Sequence, residues 1–143
     1  MQNVVCLTNE QSNALQEIIN WFKYDSKIKK FWRLSGFAGT GKTSLIRHIL
    51  EDSSFYRTNA RPIVITPTHA AARVLRKKGV PAQTLHSLIY RIEELPDGSL
   101  MCHLRSNEEI KFLFSIIVVD EASMCDFVQR NDIMKFGIPV LFV

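Results

Sequence analysis

Gly36-Phe37-Ala38-Gly39-Thr40-Gly41-Lys42-Thr43 fits G-x-x-x-x-G-K-[ST], the phosphate-binding P-loop. Its flanks suit the motif. Phe31-Trp32-Arg33-Leu34-Ser35 reads as a short buried strand, and Ser44-Leu45-Ile46-Arg47-His48-Ile49-Leu50 reads as a helix. The residue types follow from the chemistry. Glycines let the backbone approach a polyphosphate and turn its N–H groups inward as an anion nest. The helix start adds unpaired N–H donors and the positive end of its dipole. Lys42 supplies a point charge to the β- and γ-phosphates, and the Thr43 hydroxyl is a ligand for Mg²⁺. Gly36, Gly39, Thr40, Gly41, Lys42, Thr43 and Ser44 are therefore the candidate nucleotide-binding residues. The competing reading is a glycine-rich turn that only joins a strand to a helix.

A second constellation lies far along the chain. Ile116-Ile117-Val118-Val119 is an unbroken apolar, β-rich run, as expected of a central parallel strand buried on both faces. It ends in Asp120-Glu121-Ala122-Ser123-Met124. A carboxylate at the carboxyl end of such a strand sits in the crevice where α/β proteins bind ligands. Asp120 is expected to hold Mg²⁺ beside Thr43, and Glu121 to orient and polarise an attacking water. The competing reading is that both acids cap the next helix.

Gly36–Thr43, Thr66-Pro67-Thr68-His69-Ala70-Ala71-Ala72, Thr84-Leu85-His86-Ser87 and Asp120-Glu121-Ala122-Ser123-Met124 occur in that order. They resemble motifs I and Ia, the Thr-x-His-Ser motif and motif II of superfamily 1 helicases, with the RecD/Dda-like branch the most similar. The resemblance runs from about Leu7 to the last residue. It implies a RecA-like P-loop NTPase domain: a three-layer α/β fold with a mainly parallel sheet and a small β-hairpin insertion. It also implies ATP with Mg²⁺ as cofactors, and hydrolysis coupled to 5′→3′ translocation on single-stranded DNA. Replication or recombination proteins are the further partners it allows.

The resemblance assigns roles that the residues alone leave open. Gln11 stands where family members carry an adenine-reading glutamine, yet Thr8-x-x-Gln11 is also a capping box opening a helix over Asn9–Tyr24. That helix carries Ala14, Leu15, Ile18, Ile19 and Phe22 on one face. Arg61–Thr66 reads as a strand, and Pro67-Thr68-His69 opens a helix. Family members use this segment to hold the DNA backbone and stack a base, whereas Thr68 also serves as a helix cap. Thr84 and His86 are assigned to DNA likewise, though a helix over Thr84–Arg91 could equally bury them or hydrogen-bond them locally. Arg73, Arg76, Lys77 and Lys78 read as a solvated helix face. Between Arg91 and Arg105, Leu95-Pro96-Asp97-Gly98-Ser99 carries a hairpin turn signal, where the family places a strand-separating pin. An ordinary surface hairpin fits the same residues.

Composition is compatible with this. The 143 residues, 46% apolar and 22% charged, suit one globular domain, and a net charge of +4 permits nucleic-acid binding. Cys6, Cys102 and Cys125 are odd in number and lack metal spacing, as do the four histidines, so reduced intracellular thiols are expected. No signal-peptide pattern or run of about 18 apolar residues occurs, so secretion and membrane insertion are not expected. The resemblance implies a cytoplasmic protein of a bacterium or a phage-infected host, with no membrane partner.

The coarse order is helix, strand, P-loop, helix, strand, helix, helix, hairpin, strand, helix, strand, with Ser53–Ala60 the most loop-like connection. Pro139-Val140-Leu141-Phe142-Val143 reads as another core strand, and there the sequence stops. In the family a Gly-Asp-x-x-Gln motif and a second motor domain come next. The resemblance therefore implies an N-terminal RecA-like piece over 1–143 whose partner domain is missing. Two other classes fit parts of the pattern: another P-loop ATPase, such as a helicase loader or nucleotide kinase, and a non-catalytic module that binds nucleotide or DNA without turnover.

Overall fold

A computed structural model describes residues 6–35 and 41–143; Gly36, Gly39 and Thr40 of the expected loop lie outside the described residues. Five strands form one parallel sheet: β1 (Phe31–Arg33), β2 (Arg61–Thr66), β3 (Ala82–Thr84), β6 (Phe114–Val119) and β7 (Val140–Phe142). Their order is β1-β7-β6-β2-β3. β4 (Tyr90–Glu94) and β5 (Leu100–Leu104) pair antiparallel as a separate hairpin.

Alternation along the central strands divides the core into two layers, because successive strand side chains point to opposite faces. Val64, Ile116, Val118 and Leu141 face one cluster, with Ile18, Trp21, Leu45, Ile49 and Leu75 from α1 (Asn9–Asn20), the turn after it, α2 (Gly41–Glu51) and α3 (His69–Lys77). Ile63, Ile65, Ile117, Val119 and Val140 face the other. They pack there against Leu88 of α4 (Leu85–Ile89), Ile110 of α5 (Asn107–Leu113) and Ile133 of α6 (Phe127–Met134). The result is the three-layer α/β arrangement, and all six residues of β6 are buried.

Several elements differ from the sequence reading. β1 is an edge strand rather than a buried one: it pairs with β7, Phe31 is 48% exposed, and only Trp32 turns inward, its ring 6.0 Å from that of Trp21. α1 ends at Asn20 and gives way to a π-helical turn over Trp21–Asp25, where the Ser26 N–H reaches back to the Trp21 carbonyl at 2.8 Å. The expected helix over Thr84–Arg91 is only one turn, because Tyr90 and Arg91 enter the β4 ladder. β3 and α5 have no counterpart in the sequence pattern; β3 is three residues long, too short to show a period.

Candidate nucleotide and nucleic-acid site

The carboxyl ends of β1, β7 and β6 open into a crevice of about 460 Å³. Lys42, Glu121, Ser123, Arg33 and Arg130 line it, with Phe31, Phe142 and Met134 as its apolar wall. α2 leaves β1 toward one face of the sheet, and α6 succeeds β6 on the other. The crevice therefore lies at a topological switch point, where open α/β sheets bind ligands.

Lys42, Thr43 and Ser44 occupy the first turn of α2, which begins at Gly41, and all four are half-buried. The N–H groups of this turn have no intrahelical acceptor and favour an anion. Gln11 touches the same turn. Its Oε1 accepts from the Thr8 N–H at 2.9 Å while its backbone N–H donates to Thr8 Oγ1 at 3.2 Å, completing the capping box. Its Nε2 donates to the Gly41 carbonyl at 3.4 Å. One amide thus ties the start of α1 to the start of α2.

Asp120 comes directly after the last residue of β6, with its N–H bonded to the Ile65 carbonyl at 2.9 Å. Burial pushes its carboxyl above the usual carboxylate range; the neighbouring Glu121 charge adds to this, and the Glu121 backbone N–H and Lys42 oppose it. A half-buried carboxylate raised by desolvation is one that a cation would relieve. The donors fit Mg²⁺: one carboxylate and the Thr43 hydroxyl leave the remaining positions to phosphate and water. Among the described residues no cluster of three or more His, Cys, Asp or Glu forms a self-sufficient metal cage.

Glu121 has φ 56° and ψ 40°, the only non-glycine residue at positive φ among the described residues. Left-handed backbone costs an ordinary residue about 1–2 kcal/mol. Glu121 lines the crevice, and its side chain makes no cap bond to the turn that follows. Neither acid serves as a helix cap. The 3₁₀ turn Ala122–Met124 has no side-chain cap, and α6 is capped by Asp126, whose carboxylate accepts from the Gln129 N–H at 2.8 Å.

The residues assigned to DNA divide into two kinds. Thr68 caps α3, its Oγ1 accepting from the Ala71 N–H at 3.2 Å, and His69 beside it is exposed. Thr84 is 4% exposed, and its Oγ1 caps α4 by accepting from the Ser87 N–H at 3.2 Å. His86 is exposed, and its ring lies 4.5 Å from that of Tyr90. The Tyr90 hydroxyl donates to Asp132 of α6, which Lys135 also contacts at 3.1 Å. This bond pushes the Tyr90 pKa up to about 12 and holds the Asp132 carboxyl below the usual range. Sequence reading passes over the Tyr90–Asp132 pair because its members lie 42 positions apart and match no local pattern.

The sequence pattern of the family described as "AAA domain" matches residues 6–137. The chain belongs to the AAA domain family. It is 34% identical over 97 residues to the multifunctional conjugation protein TraI of Escherichia coli, covering 66% of this chain and 5% of that one. It is 36% identical over 144 aligned positions to the ATP-dependent DNA helicase Dda of Enterobacteria phage T4, covering 88% of this chain and 31% of the helicase. The chain thus spans under a third of the length of either relative. A crystal structure of a Pif1 helicase from Bacteroides shares the fold, with a TM-score of 0.61 over 99% of this chain and 32% of that one at 24% identity. These relatives bear out the resemblance to superfamily 1 helicases of the RecD/Dda-like branch, and the P-loop family implies nucleotide use.

Among the described residues, no helix is long and apolar enough to cross a membrane.

Proposed function

We propose that this chain is an ATP-dependent DNA helicase motor domain, binding ATP with Mg²⁺ and coupling its hydrolysis to movement on single-stranded DNA. The observation that carries the reading is the meeting of Lys42 and Glu121 in one crevice, beside half-buried Asp120 and the open first turn of α2. Lys42 would bind the β- and γ-phosphates, and Thr43 and Asp120 would hold Mg²⁺, which would supply positive charge against the phosphates. Glu121 orients a water and takes its proton. Gly36, Gly39 and Thr40 are proposed to complete the phosphate cradle with Ser44.

Gln11 is proposed to read adenine. Its Nε2 already lies against Gly41, so a small rotation exchanges that long bond for one to the base. Thr68 and His69 at the start of α3 receive the DNA backbone and a base. His86 offers a second stacking surface, with buried Thr84 fixing the turn that presents it. The hairpin β4–β5 is proposed to part the duplex.

The test is binding of a fluorescent ATP analogue and of oligothymidylate to the wild-type chain, Lys42→Ala and Glu121→Gln. The expected result is loss of nucleotide binding in Lys42→Ala, retained nucleotide binding in Glu121→Gln, and oligothymidylate binding by all three. Undiminished nucleotide affinity in Lys42→Ala overturns the site. A wild-type chain that binds nucleotide but no single-stranded DNA favours a nucleotide kinase or another P-loop ATPase.

A further inference from the structure

A second groove opens at the opposite end of the sheet, among the carboxyl end of α2 and the amino ends of β2 and β3. Its volume is about 550 Å³, within the range of small-ligand pockets. Three arginines from three elements line it: Arg47 of α2, Arg61 at the start of β2 and Arg76 of α3. Among the described residues no ion pair engages any of them. Arg76 is held in place by its Nε, which donates to the Ala82 carbonyl at 2.7 Å; among the described residues its two terminal nitrogens have no hydrogen-bond partner. The Arg47 guanidinium lies against Gly79, whose φ of +82° makes the sharp turn after α3. Tyr56 forms a further wall; its hydroxyl donates to the Leu50 carbonyl at 2.5 Å, which fixes a half-exposed ring. Among the described residues Glu51 is the one acid on the rim.

We propose that this groove binds a segment of single-stranded DNA, separate from the strand received at Thr68 and His69. Guanidinium forks match phosphate geometry, and a fixed aromatic ring takes a base by stacking. A polyphosphate backbone satisfies three spaced cations together, whereas an acidic peptide leaves the Tyr56 face unused. The proposal rests on the DNA-handling function proposed for the chain, and the two fail differently.

The experiment titrates fluorescein-labelled oligothymidylate into the wild-type chain, R47Q/R61Q and H69A by anisotropy, at salt from 50 to 200 mM. Arg76 is left intact because its bond to Ala82 is structural, and melting curves verify that each variant folds. Two lost phosphate contacts flatten the salt dependence by a slope of about 1.4, so over this range the wild type should lose roughly sevenfold more affinity than R47Q/R61Q. H69A should weaken binding while keeping the wild-type salt slope. If R47Q/R61Q matches the wild type in affinity and slope while H69A weakens binding, the groove is refuted and the DNA-handling function survives. If the wild-type chain binds no oligonucleotide, both fall. If poly-glutamate binds the wild type but not R47Q/R61Q, and oligothymidylate binding is equal in both, the groove takes a protein ligand and the proposal is wrong.

Discussion

Glu121 offers the sharpest separation of stability from chemistry. Its backbone sits at φ 56°, ψ 40°. There a Cβ crowds the neighbouring carbonyl at about 1–2 kcal/mol, a cost that glycine escapes. Glycine surrenders about 0.5–1 kcal/mol through its freer unfolded chain. Glu121→Gly should therefore be more stable than Glu121→Ala by about 0.5–1 kcal/mol, the reverse of the usual order in regular structure. For a chain of this size that is a rise in Tm of roughly 2–4 °C. The alanine variant is the proper reference, because both substitutions remove the carboxylate and differ only in the Cβ. Circular dichroism melts at one pH, without nucleotide, measure the difference. Glu121→Gln keeps the shape and the strain, so its Tm should match the wild type while any turnover is lost. If Glu121→Ala melts at or above Glu121→Gly, the turn stores no strain and the left-handed backbone at this position carries no cost.

Three further outcomes are expected. Asp120 has a folded-state pKa above its unfolded value, so the folded chain holds its proton more tightly. It loses that stability as pH rises from the unfolded value, near 3.9, through the raised folded one. Asp120→Asn should remove this loss and melt higher than wild type at neutral pH without Mg²⁺, and parallel Tm–pH curves for the two proteins would contradict it. Tyr90→Phe strips the hydroxyl from buried Asp132 and should cost about 1–3 kcal/mol by denaturant unfolding. Because Asp132 titrates below the usual range when folded, that cost should shrink as pH falls through its folded pKa. Gln11→Glu keeps an acceptor for the Thr8 N–H but loses the donor to Gly41, so it should spare Tm and weaken adenine nucleotides. Gln11→Ala should also lower stability by about 1 kcal/mol. Equal nucleotide affinity in wild type and Gln11→Glu, by calorimetry, would remove Gln11 from the base site.

The central architecture is legible in the sequence because it obeys strong local rules. β6 is six buried residues in a row, and a strand walled on both faces must read that way. The glycine-lysine-threonine turn and the Thr8–Gln11 capping box are short patterns with fixed offsets, and Lys42, Thr43 and the box stand where those offsets put them. The features that escape a sequence reading are set by distance along the chain. The turn at Tyr90 from helix to strand is decided by a partner strand fourteen residues on, Leu104, and by Asp132. Thr84 could be read as a surface donor or a local cap, and only burial against the second core layer chooses the cap. The edge position of β1 depends on the insertion of β7 between β1 and β6, which chain order does not reveal.

Among the described residues both outermost ladders of the sheet are three pairs long, as is β6–β7, and the longest, β2–β6, is internal. β1 and β3 are three residues each, flanking strands of three, six and six. Lys29 and Lys30 precede β1, and Lys77 and Lys78 shortly precede β3. Another chain approaching either border finds few amide and carbonyl groups in register, and it meets ammonium groups on the way. The long apolar strands most able to template cross-β stacking are shut inside, with both of their neighbours in place. Resistance to edge-to-edge self-association is thus written into the order of the strands, and lengthening β1 or neutralising its lysines should be the quickest way to erode it.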